Sequence, residues 1–165
     1  MYPSKILSAA VLAATAAATM LTAGSAHAAA PRALPSDPQI VRPGEVVEVG
    51  HGIDLQLTKT QRCVGTPDAW GCNSVVNGNQ PPGTVSVRVQ GDSVGTLYSP
   101  LYIGHGTAAR ILVVSGGETY DVHIVTLAGH PGFASGYVWG APETDPNDVP
   151  QITVYDKAGR VLAEL

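Results

Sequence analysis

Two stretches of the chain alternate between apolar and polar residues: Ile53-Asp54-Leu55-Gln56-Leu57-Thr58 and Thr84-Val85-Ser86-Val87-Arg88-Val89-Gln90. Successive side chains of a β-strand point to opposite faces, so this period of two predicts strands that bury one face only. A helix would repeat its apolar positions every three or four residues, and no segment after residue 28 sustains that period. Both stretches are therefore predicted to be half-buried strands.

Similar short segments occupy much of the remaining chain, and residues that favour turns separate them. Gly accepts a positive φ and Pro holds φ at about −65°, so both residue types end regular structure. Further strands are predicted at 46–49, 95–103, 109–114, 119–127, 133–139, 152–155 and 160–165. This pattern predicts an all-β fold, either an antiparallel sandwich of immunoglobulin-like form or a small barrel, with about eight or nine short strands.

The first 28 residues contain the three parts of a secretory signal peptide. Lys5 supplies the positive charge, an alanine-rich run extends from Ile6 to about Leu21, and Ala26-His27-Ala28 is a small-x-small cleavage site. An uncleaved anchor would need about 20 strongly apolar residues, whereas Ser and Thr interrupt this run. The sequence predicts cleavage near Ala28 and release of a secreted, extracellular protein that keeps no membrane segment.

Composition limits the organisation and the partners of the secreted chain. Residues 29–39 are rich in Pro and Ala and are predicted to be a flexible lead-in, followed by a single β-sandwich domain over 40–165. Removing the signal removes one of nine basic residues and none of 13 acidic ones, so the net charge becomes 8 − 13 = −5. A mildly acidic chain without a basic stripe argues against nucleic acid and anionic membranes as partners. We expect a monomer.

The two cysteines, Cys63 and Cys72, are predicted to form a disulfide because the chain is predicted to be exported. A metal site would need further ligands at close spacing, which the neighbouring residues do not supply. The enclosed loop contains Pro67, Asp68 and Trp70 and is a candidate partner-binding loop. A constrained loop loses little entropy on binding, and Trp is common among the residues that dominate interfaces. Alternatively, Trp70 folds back and covers the edge of the core.

Three histidines, His51, His105 and His130, lie among glycines at predicted strand ends. Strand ends of a sandwich gather at two poles, so these side chains could meet, and three neutral imidazoles with an open position could hold zinc or copper. Alternatively, His occupies these turns because it tolerates a positive φ better than bulky residues do. No other feature of the sequence indicates a cofactor, and we expect none.

Signals for catalysis are weak. The Gly-x-Ser-x-Gly turn of many hydrolases is absent, and the order and spacing of Ser, His and Asp identify no triad. The leading hypothesis is therefore a secreted, non-catalytic binding or structural accessory protein whose partner is an unknown protein or cell surface. Two alternatives stay open. One is an extracellular protease inhibitor that presents the Cys63–Cys72 loop, and the other is a small metal-dependent enzyme that uses the loop histidines.

Overall fold

A computed structural model describes residues 37–143 and 147–165, and these residues contain 13 strands and no helix. The predicted signal peptide and residues 29–36 of the predicted lead-in lie outside the described residues. The strands are β1 (Gln39–Val41), β2 (Val46–Gly50), β3 (Ile53–Leu57), β4 (Gln61–Thr66), β5 (Ala69–Ser74), β6 (Thr84–Gly91), β7 (Thr96–Ile103), β8 (Arg110–Ser115), β9 (Glu118–Asp121), β10 (His123–Leu127), β11 (Phe133–Gly140), β12 (Gln151–Tyr155) and β13 (Val161–Glu164).

The strands form three sheets. The central sheet has the order β1-β10-β11-β7-β6, the hairpin sheet has the order β2-β3-β4-β5, and the C-terminal sheet has the order β13-β12-β8-β9. Neighbouring strands are antiparallel, except that β1 runs parallel to β10. The all-β, antiparallel prediction is thus confirmed, with one short parallel pair added at the edge of the central sheet.

Two hydrophobic cores lie on opposite faces of the central sheet. On β7, Leu97 and Leu101 join a core with the hairpin sheet, whereas Tyr98 and Tyr102 join a core with the C-terminal sheet. Every residue of β7 is therefore buried, as expected for a strand that is covered on both faces. The central sheet is the middle layer of a three-layer sandwich.

The strand count exceeds the predicted eight or nine for two reasons. The segments that form β1, β4 and β5 were not predicted as strands, and the predicted strand at 119–127 is two strands that meet at Val122. There β9 pairs with β8 in the C-terminal sheet, while β10 pairs with β11 in the central sheet. Alternation continues through this crossing, so periodicity alone does not reveal it. Gln39, the last residue of the predicted lead-in, already belongs to β1.

Candidate functional site

The predicted binding loop is the tip of a regular hairpin formed by β4 and β5. Cys63 lies opposite Cys72 in the ladder, and the two form the predicted disulfide with a Cα–Cα distance of 4.1 Å. The last pair of the ladder is Thr66 with Ala69, which leaves Pro67-Asp68 as a two-residue turn. The cross-link therefore lies three register pairs before the turn and limits how far the two strands can separate.

The three predicted contact residues, Pro67, Asp68 and Trp70, are all exposed. Trp70 keeps 36% of its surface exposed, and neither hydrophobic core of the described residues includes it. Residues of β4 and β5 that lie opposite each other share a face, so Trp70 is on the outer face with its partner Gly65. A side chain at Gly65 would collide with the backbone of Ala69, so the close folding of the tip depends on this glycine.

The structure brings together two of the three predicted histidines. His105 and His130 line a cleft of about 440 Å³ where β7 and β10 end and β11 begins, near Phe133. His51 instead stacks on Trp139 near the other end of β11, with ring centroids 4.0 Å apart. From Phe133 to Trp139 the strand rises about 20 Å, at ~3.3 Å per residue. The third histidine is thus far from the cleft.

The predicted three-histidine metal site does not form. Within residues 37–143 and 147–165, no group of three or more His, Cys, Asp or Glu side chains is placed to hold a metal ion. The two imidazoles in the cleft are fewer than the three protein ligands that a catalytic zinc usually has. The prediction was wrong because the β2–β3 turn lies at the opposite end of the sandwich from the other two loops.

His51 has a structural explanation in its turn. Its φ of 53° makes it the one described residue other than Gly in the left-handed region. It lies between Gly50 and Gly52, and its ring covers Trp139, whose Nε1 donates a hydrogen bond of 2.6 Å to the carbonyl of Val49. The alternative that His51 occupies its turn because histidine tolerates a positive φ therefore accounts for this residue.

The inner face of the hairpin contains a residue that sequence analysis missed. Arg62 on β4 is only 1% exposed, and its Nη2 donates a 3.1 Å hydrogen bond to the carbonyl of Ser99. Its Nε and Nη1 are buried without a hydrogen-bond partner among the described residues. Burial, and after it the positive charge of Arg88, lower the pKa of Arg62 to about 10. In the sequence, a single Arg beside a cysteine does not indicate that the arginine side chain is buried.

Three hydrogen-bonded polar side chains lie where the central and C-terminal sheets meet. Tyr98 donates a hydrogen bond of 2.8 Å to Ser115 Oγ, and Ser115 donates one of 2.6 Å to Asp148. The backbone N–H of Gly116 donates a second, also of 2.6 Å, to the same carboxylate. These hydrogen bonds, from Ser115 first and Gly116 second, hold the pKa of Asp148 below its ordinary value. These contacts hold the β8–β9 turn against the central sheet.

Acid should destabilise the fold partly through Asp148. A carboxyl whose folded pKa is lowered stabilises the fold above its unfolded pKa of about 4, and this contribution disappears as the pH falls through the folded value. Asp148→Asn should therefore make the free energy of unfolding, measured in urea between pH 7 and pH 3, fall less steeply with acid. Asp68→Asn is the control, because that exposed carboxylate has no hydrogen bond among the described residues. Equal slopes for wild type and Asp148→Asn would contradict the assignment.

Comparison with protein-family models, with curated proteins and with solved structures found no match. Within the described residues there is no helix of the length and apolar character that crossing a membrane requires.

Proposed function

We propose that this protein is exported and acts without catalysis, by binding a protein or cell-surface partner through the tip of the β4–β5 hairpin. The observation that carries the proposal is the exposure of Trp70 on a hairpin whose two strands are joined by a disulfide. Large apolar side chains are usually covered in a folded domain, and an exposed indole gains free energy when a partner covers it. The disulfide is compatible with an oxidising compartment outside the cell.

The construction of the hairpin supports tight binding by this tip. Its strands are already paired, so little backbone entropy remains to be lost when a partner binds. Trp70 has only two side-chain dihedral angles and presents a large surface. Asp68 places a negative charge at the turn, which favours a partner with a basic group beside an apolar pocket.

The same geometry favours general binding over protease inhibition. A reactive inhibitor segment presents an extended backbone to the protease, which pairs with it as an added strand. Here the tip is a tight Pro67-Asp68 turn closed by the pair Thr66 and Ala69. We therefore retain inhibition only as an outcome of the test below.

Trp70→Ala should weaken binding of the partner by about 30-fold or more, the loss typical of a dominant interface residue. A photo-cross-linking amino acid at Asp68 would first capture the partner from the culture medium and surface of the producing cells. Affinity of the captured partner for wild type and Trp70→Ala would then be measured by surface plasmon resonance. Val161→Ala is the matched control, because it removes an exposed apolar side chain (51% exposed) from a different sheet.

Two outcomes would contradict the proposal. Equal affinity of the wild type and Trp70→Ala would exclude the hairpin tip as the binding surface. Inhibition of a secreted protease at micromolar concentration, lost in Trp70→Ala, would replace general binding with the inhibitor alternative. Recovery of the chain from the medium with Ala29 at its N-terminus would support export, and its retention inside the cells would oppose it.

A further inference from the structure

Two arginines from different sheets converge between the hairpin sheet and the central sheet. Arg62 extends from β4 and reaches the carbonyl of Ser99 on β7. Ser99 is the register partner of Arg88 on β6, so both guanidinium groups lie at the same level of the central sheet. The positive charge of Arg88 lowers the pKa of Arg62, as expected for two guanidinium groups at the same level of the sheet.

No carboxylate neutralises this pair among the described residues. The ion pairs found there join Arg110 to Asp121 and Arg160 to Asp156, elsewhere in the fold. Nε and Nη1 of Arg62 have no acceptor although the side chain is almost fully buried. A pKa of about 10 still leaves this buried group charged at neutral pH. An unpaired buried charge is costly unless something compensates it, so an anion held by Arg62 would stabilise the folded protein.

Gly71 on β5 has no side chain, so a group on the central sheet can lie directly against the backbone of the hairpin there. Gly71 is the register partner of Val64, so it lies on the inner face of the hairpin, which also contains Arg62. A Cβ at Gly71 would collide with the guanidinium of Arg88, which now lies over the bare backbone. The other polar side chain on this part of β6 is Ser86, which donates to Gln80 and carries no charge. The inner face of the hairpin around Arg62 is thus otherwise buried and apolar, and neither arginine forms an ion pair with a carboxylate among the described residues.

We propose that Arg62 and Arg88 bind a small inorganic anion of the chloride class over Gly71. Arg62 would hold it from inside, because its hydrogen bond to Ser99 fixes the guanidinium. Arg88, which is half-buried, would turn outward to admit the ion and then hold it from the solvent side. Because Arg88 lies directly against Gly71, an anion that takes the place of its guanidinium must be small. This site lies on the opposite face of the hairpin from Trp70 and does not depend on the proposed partner binding.

The test measures the melting temperature of the full mature protein while sodium chloride replaces sodium gluconate at constant ionic strength. A ligand that binds the folded state raises the melting temperature with its concentration. We expect a saturable rise with chloride and a smaller one with phosphate. Arg88→Gln and Gly71→Ala should each weaken the apparent chloride affinity by about 10- to 100-fold, the factor of one charge-assisted hydrogen bond. Arg42→Gln, at an exposed arginine, should retain the wild-type response.

Gly71→Ala separates anion binding from a general effect of charge, because it keeps both arginines and puts a methyl group in the place that the anion would take. Circular dichroism in gluconate would establish that each variant folds, and a bromide-soaked crystal should show anomalous density between Arg62 and Arg88. The proposal is overturned if the wild-type melting temperature does not change with chloride. It is also overturned if folded Gly71→Ala and Arg88→Gln respond as wild type does, or if the bromide density is absent.

Discussion

Leu101→Ala should lower the free energy of unfolding by about 2.7–5 kcal/mol, the range for removing a fully buried leucine side chain. Leu101 is 0% exposed and lies on β7, the strand that contributes to both cores. Neighbouring strands hold β7 on both edges, so the backbone cannot easily move into the cavity that the substitution leaves. The free energy of unfolding of a domain is typically about 5–15 kcal/mol, so this single change would remove a large part of the stability.

Urea denaturation, followed by tryptophan fluorescence and by far-ultraviolet circular dichroism, would measure the loss. The matched control is Val94→Ala, which removes apolar atoms from an exposed side chain (67% exposed) just before β7 and should change the stability by less than about 0.5 kcal/mol. A loss below about 1 kcal/mol for Leu101→Ala would indicate that the site collapses freely, and β7 would then not be the rigid centre of the sandwich.

The fold class was predictable because alternation is a local property of each half-buried strand. The 53–58 and 84–90 stretches coincide with β3 and β6, since each has one face turned to a core. The middle position of β7 was not predictable in this way. Leu97 and Tyr98 point to different cores, and a strand that is buried on both faces has no polar face to alternate with. The sequence pattern therefore does not indicate the third layer.

The sequence indicated the cross-linked loop through its cysteines, but it did not indicate the two strands that form the hairpin. Gly65 and Gly71 interrupt the apolar pattern of β4 and β5, and Arg62 occupies an inner position where an apolar residue is expected. A disulfide depends on covalent chemistry and compartment, so the pairing could be inferred without knowing the strands. The approach of Arg62 to Arg88 could not be inferred from the sequence, because it results from packing between two sheets. The histidine prediction failed for the same reason, since sequence does not say which pole a turn occupies.

Removing the disulfide should cost about 2.7 kcal/mol of unfolding free energy, the loop-closure entropy expected for ten residues. The double variant Cys63→Ala/Cys72→Ala leaves no free thiol, and alanine suits the buried position of Cys63. β5 is an edge strand held only by β4, so the loss should be largest in this hairpin. Hydrogen exchange of β5 amides should accelerate more than that of β7 amides, while urea denaturation reports the loss of global stability.

This variant also tests why the hairpin is cross-linked. If the disulfide keeps the tip ordered for binding, the double variant should bind the captured partner more weakly even under conditions where it is fully folded, because ordering the tip then costs free energy. Ser74→Ala, on the same strand outside the cross-linked loop, provides the control for a change in β5 that leaves the linkage intact. Unchanged stability together with unchanged exchange in β5 would show that strand pairing alone holds the hairpin. The rigidity on which the proposed binding rests would then come from the ladder between β4 and β5, and the Pro67-Asp68 turn would be its closing element.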